Sequence, residues 1–117
     1  MRRTVPLAVL LLLVLASVAL AATKQSLTAT ESDGLGYSKA KITVTHGKVT
    51  LKMKNPGGNA LDHSIDIRGH GVSKHSKVVS PGNTATVTAT LKKGTYTFYC
   101  EVSDHEADGM KGKLVVK

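Results

Sequence analysis

From Thr84 to Leu91 the chain alternates without a slip. Ala85, Val87, Ala89 and Leu91 hold one parity, and Thr84, Thr86, Thr88 and Thr90 hold the other. A helix repeats every 3.6 residues and would scatter those apolar side chains around its circumference, whereas a strand puts them all on one face. Val49, Leu51 and Met53 alternate in the same way with Thr50, Lys52 and Lys54, as do Tyr96, Phe98 and Cys100 with Thr97 and Tyr99. Period-2 stretches rich in Val and Thr read as half-buried strands. The pattern predicts strands over residues 26–31, 37–45, 48–54, 63–68, 84–91, 95–100 and 112–117.

Turn signals separate these stretches: Asp33-Gly34, His46-Gly47, Asn55-Pro56-Gly57-Gly58, Pro81-Gly82-Asn83, Lys93-Gly94 and Asp108-Gly109. Short strands at this spacing predict an all-β, antiparallel sandwich or barrel of about seven to eight strands. Residues 69–80 fit no strand and read as a long loop or a short helix. With no Trp, and only Tyr37, Tyr96, Phe98 and Tyr99 as aromatics, aliphatic side chains must fill most of the core.

The N-terminus has a separate logic. Met1-Arg2-Arg3 precedes an apolar run from Val5 to Ala16, and Ala19-Leu20-Ala21 gives a small-x-small cleavage pattern. Residues 1–21 therefore read as a secretory signal peptide, and residues 22–117 as the exported domain. The formal charge is +8. Without Arg2 and Arg3, fourteen Lys and Arg stand against eight Asp and Glu, a net +6. A basic exported protein is drawn to anionic surfaces or partners. Nucleic acid is not among them, because no Arg-rich stripe is interleaved with aromatics.

Cys100 is the single cysteine, so no internal disulfide is possible. A lone thiol in an oxidising compartment must be core filler, an intermolecular bridge, a nucleophile or a metal ligand. The residues that follow it bear on the choice. Cys100 ends a strand, His105 sits in the tight loop beyond, and Met110 stands where the next strand begins. Thiolate, imidazole and thioether are donors that suit copper. A trigonal site needs a second imidazole, and His46, His63, His70 and His75 are available. His63 shares parity with Ile65 and Ile67 and should point inward at the end of a core strand. His46 lies in a turn, and His70 and His75 lie in a Gly/Ser/Lys loop where solvated histidines are expected.

The run Cys100-x4-His105-x4-Met110 after an aromatic strand, with His63-Ser64 upstream after an Asn/Gly-rich turn, resembles the cupredoxins, particularly the small bacterial proteins related to plastocyanin, azurin and auracyanin. The likeness extends from about Tyr37 to Lys117. It implies a Greek-key sandwich with one copper ion per chain. It further implies that His63, Cys100 and His105 lie in a near-trigonal plane around the metal, with Met110 as a long axial ligand. Ser64 resembles the polar residue that braces the two ligand loops. Ser103-Asp104 stands where such loops often read Pro-Gly, which bears on the loop's stiffness.

The implied function is one-electron transport by an exported type 1 copper protein. No open coordination position would remain for a substrate, so an enzyme is not expected. Transient docking to a redox protein such as a cytochrome or an oxidase is expected, by a monomer that touches membrane only through an uncleaved signal or its basic body. The main alternative is a copper chaperone or store. A thiol enzyme using Cys100, His105 and Asp104 would leave His63 and Met110 unexplained, and no oxyanion-type glycine turn precedes Cys100. Four of the eight acids lie between Cys100 and Met110, so an acidic metal end on a basic body is expected, with Glu31 and Asp33 at that end if the resemblance holds.

Overall fold

A computed structural model of the chain describes residues 4 and 23–117. The expected signal peptide, residues 1–21, lies outside the described residues apart from Thr4. Among the described residues no helix is long and apolar enough to cross a membrane.

Among the described residues nine strands form two sheets: β1 (Thr23–Thr30), β2 (Gly36–Tyr37), β3 (Lys41–Val44), β4 (Gly47–Lys54), β5 (Asp66–Gly69), β6 (Val72–Lys74), β7 (Thr84–Leu91), β8 (Gly94–Tyr99) and β9 (Lys111–Val116). One sheet has the order β2-β1-β4-β7, the other β3-β9-β8-β5-β6. The all-β sandwich expected from the alternation is present. On β7 every apolar residue is buried and every threonine exposed. The inward side chains of β1, β4 and β7 close on Ile42, Val44, Ile65, Ile67, Tyr96, Phe98, Leu114 and Val116. Phe98 is the largest fully buried side chain. It leans across Gly112, its partner on β9, where a Cβ would run into the ring and would also stand 2.7 Å from the Ala40 carbonyl.

Four details depart from the sequence reading. The strand expected over 37–45 is broken, because Ser38 turns back onto Thr28: its N–H donates to the Thr28 carbonyl at 2.8 Å and its Oγ accepts from the Thr28 N–H at 2.9 Å. The pairings are not all antiparallel, since β1 runs parallel to β4 and β3 parallel to β9. Between β3 and β4 the turn at Thr45-His46 carries the chain from one sheet to the other instead of folding it back as a hairpin. The strand expected from residue 63 begins at Asp66, because the Ile65 N–H donates to a side chain, Ser76 Oγ, at 2.9 Å. Residues 69–80 contain strand β6, which pairs with β5, and no helix.

Residues 55–65 form the other half of the functional end. Asn55 is completely buried. Its amide donates to the carbonyls of Leu61 and Val79, each at 3.0 Å, and its carbonyl accepts from Asn59 at 2.9 Å. His63 and Val79 exchange backbone hydrogen bonds of 3.0 and 2.9 Å. These bonds pin the backbone of His63 before β5 begins.

Candidate metal centre

Three chain segments meet at one end of the sandwich. The first is the β8–β9 loop. Its mouth is closed by the Cys100 N–H donating to the Met110 carbonyl at 3.1 Å and the Met110 N–H donating to the His105 carbonyl at 2.9 Å. Inside it, His105, Asp108 and Gly109 donate to the carbonyls of Val102, Asp104 and Glu106 at 2.9–3.0 Å. Gly109, at φ 108°, supplies a conformation that side chains disfavour, and Ser103 adopts φ 42°. Backbone bonds thus tie the loop together with Ser103-Asp104 in place of the Pro-Gly that related loops often carry.

The second segment brings His63. One nitrogen of His63, one nitrogen of His105 and the Cys100 sulfur all lie within 4.8 Å of one another. Cys100 Sγ is 3.6 Å from His105 Nδ1, and the two imidazole rings are 5.1 Å apart. Met110 is wholly buried, and its backbone is bonded to both Cys100 and His105. Within this group His63 and Met110 are 0% exposed, Cys100 is 1% and His105 is 8%, so His105 is the part of the group closest to solvent.

Ser64 locks these two segments together. Its N–H and Oγ approach the Cys100 sulfur at 3.4 and 3.8 Å, and its Oγ accepts from the Glu101 N–H at 2.9 Å. The expected bracing residue is therefore where the resemblance put it. Tyr37 donates to the Ser64 carbonyl at 2.6 Å. Burial, then the charges of Cys100 and Asp66, push the Tyr37 phenol far above its ordinary value, which keeps it a donor.

The third segment carries Glu31, which the sequence reading placed at this end without a role. Its Oε1 takes a hydrogen bond from His63 Nε2 at 2.8 Å, and its two oxygens accept from the N–H groups of Ala60 and Leu61. Burial raises the Glu31 carboxyl, but the Ala60 N–H, His63 and the Leu61 N–H outweigh it and hold the group below the usual carboxylate range. Two residues separated by 32 positions give no local signal of such a bond. With Nε2 so occupied, the other ring nitrogen of His63, Nδ1, is buried and has no hydrogen-bond partner. His105 is pushed below the ordinary imidazole value, by burial first and by the neighbouring His63 second, which favours its neutral form with a lone pair to give.

The described residues therefore form the scaffold of a soft-metal site, and the match to known proteins is extensive. Residues 5–116 match the cupredoxin-like domain family. The chain belongs to the cupredoxin-like family. It is 30% identical over 95 residues to plastocyanin A'/A'' of Nicotiana tabacum, which covers 74% of this chain and 92% of that protein. Plastocyanin of Solanum crispum is 27% identical over the same extent. A solved structure of reduced auracyanin from Roseiflexus castenholzii superposes with a TM-score of 0.66 at 26% identity, covering 82% of this chain and 98% of that one. Auracyanin A of Chloroflexus aurantiacus, described as a "blue" copper protein, shares the fold with a TM-score of 0.67 at 21% identity.

Within this cupredoxin-like chain the donor set fits copper. An orphaned imidazole nitrogen, a second imidazole and a thiol converge in a largely buried cluster, which suits a soft or borderline ion. Two donors about 2.0 and 2.3 Å from one ion at a trigonal angle are about 3.7 Å apart, close to the 3.6 Å between His105 Nδ1 and Cys100 Sγ. The remaining histidines lie apart. His46 caps the chain end through the Lys117 carbonyl at 3.1 Å. His70 stacks edge-on against Tyr96 at 5.0 Å. His75 is half-exposed but not merely solvated, because its Nδ1 sits 3.0 Å from both Asp66 and Glu101.

Proposed function

We propose that this chain is an exported type 1 copper protein that carries one electron at a time, with His63, Cys100, His105 and Met110 as the ligands of one copper ion. The observation that carries the reading is the buried, unpartnered Nδ1 of His63 beside Cys100 and His105. A buried polar atom without a partner costs on the order of 1–3 kcal/mol, and metal coordination removes that cost. Copper, when bound, supplies the Cu(I)/Cu(II) couple. The chain's part is to aim one nitrogen of each imidazole at the same point, to hold Cys100 and Met110 dry, and to keep the ligand loops fixed so that little reorganises between oxidation states. His105, with its small exposure, is where an electron crosses to a partner.

This reading places residues 1–21 as the export signal and residues 22–117 as the mature carrier outside the cytoplasm. It fits a monomer that meets a cytochrome or an oxidase briefly. A chaperone or store is less well supported: Met53 is completely buried within β4, and of the ligand cluster only His105 reaches solvent, and only slightly. A thiol enzyme is also poorly served, because Cys100 is inaccessible to a substrate. The test is to add Cu(II) to purified residues 22–117. An intense blue thiolate-to-copper absorption band is expected, with one copper per chain. A colourless protein, or one that binds copper equally well with Cys100 blocked, would overturn the assignment.

A further inference from the structure

A second cluster of donors lies just outside the copper ligands and shares none of them. Asp66, His75 and Glu101 each offer one ligand atom, and those atoms all lie within 4.8 Å of one another. His75 Nδ1 is 3.0 Å from Asp66 Oδ2 and 3.0 Å from Glu101 Oε2. Asp66 is completely buried although it carries a carboxylate. Among the described residues no Lys or Arg reaches Asp66 or Glu101 within ion-pair distance. Arg68, the nearest guanidinium in sequence, is taken by Glu106 and by the Tyr99 ring. Among the described residues the one cationic partner of these two carboxylates is His75, which the hydrogen bond to Asp66 holds above its ordinary value.

The outer atoms of two of these ligands are already anchored. Asp66 Oδ1 accepts the Ser76 N–H at 3.1 Å, which leaves Oδ2 for the cluster. In the metal-free protein His75 Nδ1–H donates to the Asp66 and Glu101 carboxylates; His75 Nε2 lies 3.3 Å from Ser73 Oγ, so an ion that displaces the Nδ1 proton leaves Nε2–H to donate to the hydroxyl. Metal-bound histidines are generally oriented by such a bond on the far nitrogen. The backbone of Glu101 is fixed by Ser64. Oxygen and nitrogen donors about 2.0–2.2 Å from zinc, at a tetrahedral angle, stand about 3.3–3.5 Å apart. The 3.0 Å spacings therefore need only a small outward shift to admit an ion.

We propose that Asp66, His75 and Glu101 form a second metal site, for a divalent cation of the zinc type, on the outer face of the sheet beside Cys100. The donor set of one imidazole and two carboxylates, without sulfur, separates it from the copper centre: a borderline divalent ion suits it, and Cu(I) does not. Three protein ligands leave a position open to water, and half-exposed His75 gives the ion a way in. The bound dication takes over from the His75 proton as the counter-charge of buried Asp66.

The experiment is a zinc titration of the copper-loaded protein, in which His63, Cys100 and His105 are already taken. Calorimetry and metal analysis after dialysis should show one zinc per chain, with the blue band retained throughout. His75→Asn and Glu101→Gln should each weaken zinc binding at least tenfold, and His75→Asn should leave the blue band unmoved. Three results would overturn the proposal: no zinc retained by the wild-type protein, zinc affinity unchanged in both variants, or loss of the blue band in step with zinc uptake, which would put the zinc in the copper centre.

Discussion

Cys100 and Glu101 are neighbours in the chain, yet they serve two opposite environments. Cys100 continues the inward parity of Tyr96 and Phe98 and ends in a pocket closed to water; Glu101 continues the outward parity of Thr97 and Tyr99 and ends half-exposed among charges. The partner segment divides in the same way. Ile67 pairs with Phe98 on the core face, while Asp66 pairs with Tyr99 on the outer one. One sheet edge thus carries a neutral, soft cluster on its inner side and a charged, hard cluster on its outer side. The inner cluster is held rigid by bonds to its backbone, its outer atoms and the Cys100 sulfur, while Nδ1 of His63 stays free. The outer cluster spends its donor atoms on each other, as shared hydrogen bonds between His75 and two carboxylates. Strand alternation alone sorts two kinds of chemistry within a few residues.

The largest expected effect separates the two clusters outright. Cys100→Ser should abolish the blue band, since that absorption requires the thiolate, and should leave the zinc dependence on His75 in place. A blue spectrum surviving in this variant would mean that the copper lies elsewhere. Next is Glu31→Ala, which frees Nε2 of His63 and the N–H groups of Ala60 and Leu61. Outer partners of metal-binding histidines are typically worth ten- to a hundredfold in affinity, or about 1.4–2.7 kcal/mol. Copper affinity measured by competition with a chelator should fall by about that factor. No loss would show that the Glu31 bond does not set the His63 tautomer.

Ser64 belongs to both sides, and its removal should produce an intermediate effect. Ser64→Ala deprives the Cys100 sulfur of one donor and the Glu101 N–H of its acceptor. The stability loss expected from one such hydrogen bond is about 1 kcal/mol, read by denaturant unfolding. The reduction potential should fall, because a thiolate with fewer hydrogen bonds donates more strongly to Cu(II). A potential that rises or stays fixed would show that the hydroxyl acts on the loops and not on the sulfur.

The inner cluster was legible in the sequence and the outer one was not, for a physical reason. Cys100, His105 and Met110 sit within eleven consecutive residues, and His63 could be chosen because its parity matched Ile65 and Ile67, all of which are buried. Parity then failed over the same stretch. Ser64 and Asp66 are also completely buried, because residues 75–79 fold over the outer face there, and nothing local announces that covering. A carboxylate between Ile65 and Ile67 was the available sign that Asp66 needed a partner. His75 appeared as one more polar residue in a loop. The parallel pairings were hidden for a similar reason: alternation reports which face a residue takes, and says nothing of which strand lies beside it.

The smallest expected effect concerns charge where the two clusters approach each other. Arg68 lies over the Tyr99 ring at 4.3 Å and forms a two-pronged pair with Glu106, the residue after His105. Arg68 thereby cancels one of the acids at the metal end and pins the ligand loop to β5. Both side chains are partly exposed, so the pair should contribute only about 0.2–1 kcal/mol to stability. Its electrostatic consequence is easier to read. Arg68→Gln releases the Glu106 charge close to His105, where Glu31, Asp104 and Asp108 already make the surroundings acidic despite the basic body. A unit charge about 10 Å from an approaching reagent in water contributes about 0.4 kcal/mol, roughly a twofold change in rate. Cationic one-electron reagents should already react faster than anionic ones of equal driving force, and Arg68→Gln should speed the cation and slow the anion by about that factor each, widening their ratio about fourfold. The gain should vanish as ionic strength rises and the screening length falls below about 10 Å. Stopped-flow rates that climb with salt for the cationic reagent would show that the basic body, and not the acidic metal end, governs approach to His105.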